Sequence, residues 1–218
     1  MKKIVIAALM LTACSQEANE ELRDDPVLEG REVTVVEVEG GPEGLLADLE
    51  GPDAWRIDPG ASSVMFTGRQ GEDEFTGRFG TFDAQIRLDP DDPTGAMIVA
   101  AVDLGSVDAG SDDRNQSLPE AGWFDIARFP QATFRSSVVR EVADGAYEAD
   151  GALTIKGVSR DATMPFTLDI AGDGRAVADG QITLDRSDFG IGQGDFAGPE
   201  WVDTEVTVSV HVEAVPAG

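Results

Sequence analysis

The chain has 218 residues, 41% of them hydrophobic, which allows one domain with a buried core and an additional segment. Its formal net charge of -26 argues against nucleic-acid binding, because such binding needs Lys and Arg to replace the counterions of the phosphates. The same charge argues against docking on anionic lipid through a basic patch, and the single cysteine excludes a disulfide within the chain.

The N-terminus has the pattern of an export signal. Lys2 and Lys3 precede a short apolar stretch over residues 4–10, which is too short to span a bilayer. The sequence LTAC at 11–14 resembles the lipobox of bacterial lipoproteins, in which cleavage leaves an acylated cysteine at the N-terminus. This resemblance predicts a signal peptide over residues 1–13 and a lasting lipid anchor at Cys14. The alternative is an ordinary secretory signal with an incidental cysteine.

Residues 14–53 read as an acidic tether between the anchor and the folded domain. Glu and Asp recur from Glu17 to Glu29, and like charges keep such a segment extended. Ser15 follows the cysteine where lipoproteins retained in the inner membrane often have Asp. We therefore expect a periplasm-facing lipoprotein of the cell envelope, held at the outer membrane.

From residue 55 onward, apolar side chains recur at every second position, which is typical of strands with one buried face. Turn residues separate these runs, and no long helical pattern lies between them. We therefore predict an all-β antiparallel sheet that hides its apolar face by closing into a barrel. The predicted strands are 55–58, 62–68, 75–79, 81–88, 96–104, 131–142, 146–155, 161–170, 176–185 and 202–213.

The stretch from Ser111 to Phe129 interrupts this pattern. Ser111 is suited to cap a helix whose first turn holds Asp112 and Asp113, and Pro119 is suited to open a second short turn. An apolar cluster then follows, formed by Trp123, Phe124, Ile126 and Phe129. We expect this short helical excursion to close one end of the barrel.

Catalytic and metal-binding patterns are weak. The only histidine, His211, is out of phase with the apolar face of its strand, and there is no Cys/His cluster for zinc. The acidic groups at 89–92 and 108–113 lack the spacing of a calcium loop, so we read them as solvated turns. The glycines at 190, 192 and 194 lack a dinucleotide-binding context and predict a bulge or bend at a barrel corner. We therefore expect no catalytic residues, no metal and no cofactor other than a bound lipid.

Six motifs in order resemble the YceI-like family over roughly 160 residues. They are WRIDP at 55–59, GRFGTF at 77–82, VDLGSV at 102–107, FPQATFRS at 129–136, GALTIKGV at 151–158 and RSDFGIG at 186–192. Asn115 is a departure, since an acidic residue often follows the central Arg114 in this family. The resemblance assigns residues 54–214 to one YceI-like domain.

This resemblance implies an extended, lipocalin-like barrel of eight antiparallel strands that holds a long isoprenoid, such as a quinone or a polyprenyl phosphate. Small inward residues (Ala84, Ala100, Ala132, Ala149 and Gly151) would leave room for such a ligand, although helix and loop side chains could fill the same space. The candidate ligand-binding residues are Val64, Phe66, Phe82, Ile86, Ile98, Ala100, Val102, Arg114, Phe124, Phe134, Leu153, Ile155, Phe166 and Ile182.

Arg114 is the candidate for a polar head group, because a guanidinium suits phosphate and carbonyl oxygens; a salt bridge with a nearby Asp is the alternative. The expected role is lipid binding and transport without catalysis. The expected partners are the isoprenoid, the membrane through acylated Cys14, and a second copy of the chain in a homodimer. Two alternative functions remain. One is an envelope interaction or stress module whose barrel is filled, and the other is an enzyme that acts on the lipid.

Overall fold

The computed structural model describes Gly51 and residues 53–217, so the predicted signal peptide, Cys14 and nearly all of the tether lie outside the described residues. The described part is almost entirely β-structure. Its strands are β1 (Ala54–Ile57), β2 (Ser63–Gln70), β3 (Asp73–Phe79), β4 (Phe82–Asp89), β5 (Asp92–Asp103), β6 (Val107–Asp108), β7 (Gln131–Ala143), β8 (Ala146–Ile155), β9 (Val158–Ile170), β10 (Ala176–Asp185) and β11 (Glu205–Pro216).

One short α-helix, α1 (Asp112–Ser117), and three 3-10 turns (Leu104–Ser106, Arg186–Phe189 and Gly194–Phe196) complete the described elements. Ser111 occupies the cap position of α1, as predicted, but its side chain makes no capping hydrogen bond. None of the described helices is long and apolar enough to cross a membrane.

The sheet closes into a barrel of eight antiparallel strands, as the sequence predicted. β1 and β2 form one bent strand that pairs with another bent strand made of β3 and β4. The wall then runs through β5, β7, β8, β9, β10 and β11. β11 closes the ring, because its far edge pairs with both β2 and β1.

Several predicted strand boundaries are wrong in detail. β5 begins at Asp92 and not at residue 96, and β9 begins at Val158 and not at residue 161. The last strand begins at Glu205, not at residue 202, because Val202 makes only an isolated bridge to Gln70 and its carbonyl accepts a hydrogen bond from Arg186. Of the bulge or bend predicted for the glycine-rich stretch, the structure has a bend at Gly192. The stretch lies in the loop between β10 and β11, where Gly190 ends a 3-10 turn. The short strand β6, which pairs with the end of β3, was not predicted.

The two ends of the barrel differ. We call the end with the tight β4–β5, β7–β8 and β9–β10 turns the hairpin end; a cluster of Leu88, Val139, Tyr147 and Ala149 is buried there. We call the opposite end the loop end, because it carries the long segments 104–130 and 186–204. The aromatic side chains of segment 104–130 pack there, as expected: Phe124 lies 6.1 Å from Phe79, and Trp123 lies 5.5 Å from Phe196, measured between ring centroids.

Candidate ligand-binding cavity

An apolar cavity of about 210 Å³ lies inside the barrel between these two ends. It is bounded by alternate residues of the surrounding strands, because successive side chains of a strand point to opposite faces. The lining atoms are almost all apolar. Among the described residues that line the cavity, Asp83 is the only one with an ionisable side chain.

Small residues create the void. Ala84, Ala100, Ala132 and Ala149 line it, as predicted from the sequence. A second group of small residues, which was not predicted, lies on β10 and consists of Ala176, Ala178 and Gly180; their spacing of two residues is the signal in the sequence. Larger side chains such as Phe82, Phe134 and Phe166 line the same cavity.

Gly151 does not contribute to the void, contrary to prediction. A Cβ atom on Gly151 would lie 2.3 Å from the carbonyl oxygen of Arg135. The reason is an irregularity between Ser136 and Val138 of β7, which brings the backbones of β7 and β8 close together. Gly151 therefore serves a close backbone approach and not ligand space.

Most of the predicted ligand-binding residues border the cavity. Those that line it are Val64, Phe82, Ile86, Ile98, Ala100, Val102, Phe134, Leu153 and Phe166. Phe66, Arg114, Phe124, Ile155 and Ile182 lie outside the lining. The lining also contains residues outside the predicted ligand-binding set, among them Trp55, Leu88, Met164, Leu168, Val208, Val210 and Val212.

Phe66 shows why alternation alone could not define the lining. It has the same inward phase as Val64 but packs at the loop end, where its ring lies 5.4 Å from that of Phe79. Gly77 leaves the space for this ring, since a Cβ there would lie 2.3 Å from it. The position of Phe66 along the barrel axis, which the sequence does not give, removes it from the cavity.

Arg114 lies on α1 and points away from the cavity. Its Nε donates to the carbonyl oxygen of Ala109 at 2.9 Å, and its Nη1 donates to Gln70 Oε1 at 3.0 Å. The guanidinium carbon lies 4.5 Å from the ring centroid of Phe75. In the described residues it therefore joins α1 to the β2–β3 hairpin without the Asp partner considered from the sequence.

Asn115 stands where the family often has an acidic residue, and its side chain makes two polar contacts. Its Oδ1 accepts a hydrogen bond from the amide of Ala109 at 2.7 Å, and its Nδ2 donates to Asp108 Oδ1 at 3.3 Å. The amide of Gly110 and the side chain of Asn115 together lower the pKa of Asp108. A carboxylate at position 115 could not make the second contact, because it has no donor.

Lys156 helps to close the loop end. It begins the two-residue β8–β9 turn with φ of 52°, and its buried Nζ donates to the carbonyl oxygens of Ala121 and Gly190, both at 2.9 Å. Burial lowers the pKa of this ammonium, and the nearby Asp125 opposes that shift. The side chain thus ties the turn to both long loop segments.

Arg186 organises the loop that follows β10. Its side chain donates to four backbone carbonyls, those of Ile191, Gly198, Val202 and Asp203, at 2.7 to 3.1 Å. Burial lowers its pKa. Gly192 is required beside it, because φ is 78° and a Cβ would lie 2.0 Å from Arg186 Nη1.

The other polar residues considered in the sequence analysis lie away from the cavity. His211 contacts Asp179 on the neighbouring strand, with Nδ1 2.7 Å from Oδ1. Asp89 and Asp92 accept hydrogen bonds from nearby backbone amides, as solvated turn residues do. Over the described part of the chain, no three His, Cys, Asp or Glu side chains come together in a group that could hold a metal ion.

The family model for the YceI-like domain matches residues 55–214, which is the barrel described above. The chain belongs to the YceI-like family. A UPF0312 protein of Pseudomonas aeruginosa is 31% identical over 140 residues, covering 62% of this chain and 72% of that relative. A similar protein of Vibrio cholerae is 30% identical over 144 residues, covering 64% and 73%.

Solved structures agree with this YceI-like architecture. BcnA of Burkholderia cenocepacia superposes with a TM-score of 0.70 at 31% identity, covering 73% of this chain and 99% of BcnA. A polyisoprenoid-binding domain from Saccharophagus degradans, implicated in plant cell wall breakdown, superposes with a TM-score of 0.58 at 17% identity, covering 74% and 98%. At that identity the second likeness concerns the fold alone.

Proposed function

We propose that this YceI-like protein binds a long isoprenoid lipid, of the quinone or polyprenyl phosphate type, in the barrel cavity and sequesters or carries it at the cell envelope. The observation that carries the proposal is the void itself, which is about 210 Å³ in volume and walled by apolar side chains. The polyisoprenoid-binding domain of Saccharophagus degradans, which has the same fold, supports the choice of ligand.

The chemistry of the lining supports an apolar chain as the occupant. Burying a methylene group contributes about 0.8 kcal/mol relative to water, and the cavity offers almost no polar atom to recognise anything else. A bilayer is equally apolar, so transfer of the tail between membrane and barrel is nearly balanced. Reversible loading at a membrane surface follows from this balance.

The lining also favours binding over catalysis. Of the described residues around the void, Asp83 alone is ionisable, and its Oδ1 already accepts a hydrogen bond from the amide of Ala84 at 2.8 Å. General acid–base chemistry needs a proton donor or acceptor within hydrogen-bond reach of the reacting group. The filled-barrel alternative required a solid interior, and the void is evidence against it.

Acylation of Cys14 would place this barrel next to its lipid source, with the acidic segment 14–53 as the tether. Mass spectrometry of the N-terminal peptide from cell envelopes tests the anchor, and separation of the two membranes tests its location. The homodimer and the outer-membrane location stay predictions.

Lipid extraction from protein purified under mild conditions, followed by mass spectrometry, tests the proposed function. We expect a co-extracted isoprenoid, whose head group would distinguish a quinone from a polyprenyl phosphate. The purified protein is then offered an octaprenyl quinone and, separately, undecaprenyl phosphate. Protein that yields no isoprenoid and binds neither probe would refute the proposal.

Ala100→Phe is the matching variant, because the added ring projects into the cavity. Overpacking costs about 1–3 kcal/mol, so the thermal unfolding of each variant is measured first. We expect Ala100→Phe to lose probe binding by about tenfold or more, which corresponds to about 1.4 kcal/mol. Ala152→Phe, on the exposed outer face of β8, is the control and should bind as the parent does.

A further inference from the structure

The barrel wall contains a seam between β9 and β10. Their ladder has only five pairs, from Ala176 with Ile170 to Gly180 with Phe166. Beyond Gly180 the strands continue, but residues 158–165 of β9 pair only with β8, and residues 181–185 of β10 pair only with β11. In the described residues no side-chain hydrogen bond crosses between these two stretches either.

Pro165 ends the ladder. The amide of Leu168 donates to Gly145 on the β8 side, so the N–H groups at positions 165, 167 and 169 face β10. Position 165 would supply the next donor after Thr167, and proline has no N–H. Its carbonyl oxygen instead approaches Gly180, where a Cβ atom would lie 3.1 Å away.

A second gap, between β5 and β7, is filled. Their ladder also has five pairs, from Val99 with Arg135 to Asp103 with Gln131. Past this ladder, the Oγ of Ser136 accepts a hydrogen bond from the amide of Ile98 at 2.8 Å, and the buried side chain of Val139 packs in the hairpin-end cluster. This gap therefore gives no access to the interior.

The seam between β9 and β10, in contrast, borders the cavity at the point where the ladder between the two strands ends. Met164, next to Pro165, lines the cavity, and so does Gly180 on the opposite strand. Met is unbranched and adapts its shape, and Gly180 has no side chain to move. The two strands can therefore separate along the seam without breaking a ladder pair. The first pair that further separation would break is that of Gly180 with Phe166.

Buried side chains are packed at both ends of the barrel. At the hairpin end, Leu88, Val139 and Tyr147 are at most 5% exposed. At the loop end, Leu104, Phe189 and Arg186 are at most 4% exposed. An apolar cavity of about 150 Å³ accommodates benzene, so a tail of many isoprene units needs more room than the cavity of about 210 Å³ provides unless the barrel widens.

We propose that the β9–β10 seam, formed by residues 158–165 and 181–185, is a lateral portal through which the isoprenoid tail enters and leaves the cavity. This inference rests on the proposed function. It assigns Pro165 and Gly180 a role in the rate of lipid exchange that is separate from affinity.

A reversible cross-link across the seam tests the portal. Thr163 and Thr183 would be opposite each other if the ladder continued in register, and both are exposed. Thr163→Cys with Thr183→Cys, in a full chain that also carries Cys14→Ser, forms a disulfide or accepts a reducible bifunctional maleimide. The control joins Thr183→Cys to Thr207→Cys, which are paired in the intact β10–β11 ladder with their native hydroxyls 3.3 Å apart.

The measurement is the rate at which the loaded protein exchanges an octaprenyl quinone with phosphatidylcholine vesicles. We expect the seam cross-link to slow exchange by about tenfold or more, equivalent to about 1.4 kcal/mol of barrier, and reduction to restore the rate. The control cross-link should leave the rate unchanged. Equal exchange rates in the oxidised and reduced seam variant, with normal quinone loading, would overturn the portal alone.

A single substitution gives an independent test. Pro165→Val restores the missing N–H on the β10 side, so we expect the ladder to lengthen and exchange to slow while the amount bound at equilibrium stays the same. Thr167→Val, at an exposed position of β9 inside the intact part of the β9–β10 ladder, is the control and should exchange at the parental rate. Fast exchange in Pro165→Val contradicts the portal, whereas failure of the parent protein to load any quinone removes the proposed function and the portal together.

Discussion

The two ends of this barrel are closed by opposite kinds of chemistry. At the hairpin end, Leu88, Val139 and Tyr147 pack against one another, and the Tyr147 ring stacks on Phe166 at 5.4 Å. At the loop end, the buried cations Lys156 and Arg186 donate to backbone carbonyls. Tight turns leave few carbonyls without a ladder partner, whereas long loops leave many, and buried carbonyls need donors. The length of the connections therefore decides which residues can close each end.

Among the substitutions that test the two ends, we expect Arg186→Met to lower the free energy of unfolding the most. It removes the donors of four carbonyls, and a buried group left unsatisfied costs about 1–3 kcal/mol. Some carbonyls will find water, so we expect a loss of about 3–5 kcal/mol in the free energy of unfolding, measured by urea denaturation. Arg78→Met is the control, since that side chain is 70% exposed. Equal stability of the Arg186 and Arg78 variants would mean that loop-end closure does not depend on the buried cation.

Leu88→Ala tests the hairpin end by the same measurement. Truncation of a buried leucine costs about 2–5 kcal/mol, and less where the neighbours can relax. The cavity beside Leu88 permits such relaxation, so we expect a loss of about 2–3 kcal/mol, below that of Arg186→Met. Leu88→Met keeps the volume and serves as the control. A loss greater than that of Arg186→Met would reverse the order proposed for the two ends.

Lys156→Met has the smallest expected effect, about 1–2 kcal/mol at neutral pH, because two carbonyls lose their donor. Its pH dependence sharpens the test. The unfolded lysine titrates near 10.5, and burial lowers its pKa in the folded protein. At a pH between the lowered pKa of the folded protein and 10.5, the lysine is protonated in the unfolded chain and neutral in the folded one. The free energy of unfolding therefore rises with pH across this interval.

This rise should be present in the parent protein and absent in Lys156→Met. Tyr147 has a raised pKa because of burial, and it acts in the opposite direction as the unfolded tyrosine ionises. The comparison is therefore made with Tyr147→Phe in both proteins. If the free energy of unfolding changes with pH in the same way in Tyr147→Phe and in Tyr147→Phe with Lys156→Met, folding does not change the pKa of Lys156.

The sequence predicted the barrel wall well and the cavity in part. Alternation placed Ile86, Ile98 and Phe134 on the inner face, and all three line the cavity. It also placed Phe66 and Ile182 inside, but these lie beyond the cavity along the barrel axis. Alternation reports the face of a residue and carries no information about which layer of the barrel that residue occupies.

Polar roles at the loop end were less predictable. Arg114 was considered from the sequence for a head group or a salt bridge, and in the structure it joins α1 to a hairpin. Lys156 was not singled out, although its Nζ reaches Gly190 from 34 residues away. Such contacts depend on which loops meet in three dimensions, and neither periodicity nor spacing records that.

The period of two in the sequence predicts an antiparallel sheet that must bury one apolar face, and a closed barrel with an apolar interior meets that need. Tertiary structure decided where that interior stays empty. The void depends on small residues from different strands meeting in the same layer, and the seam depends on Pro165 facing β10 and not β8. Both follow from strand register, which is set by pairing between distant segments.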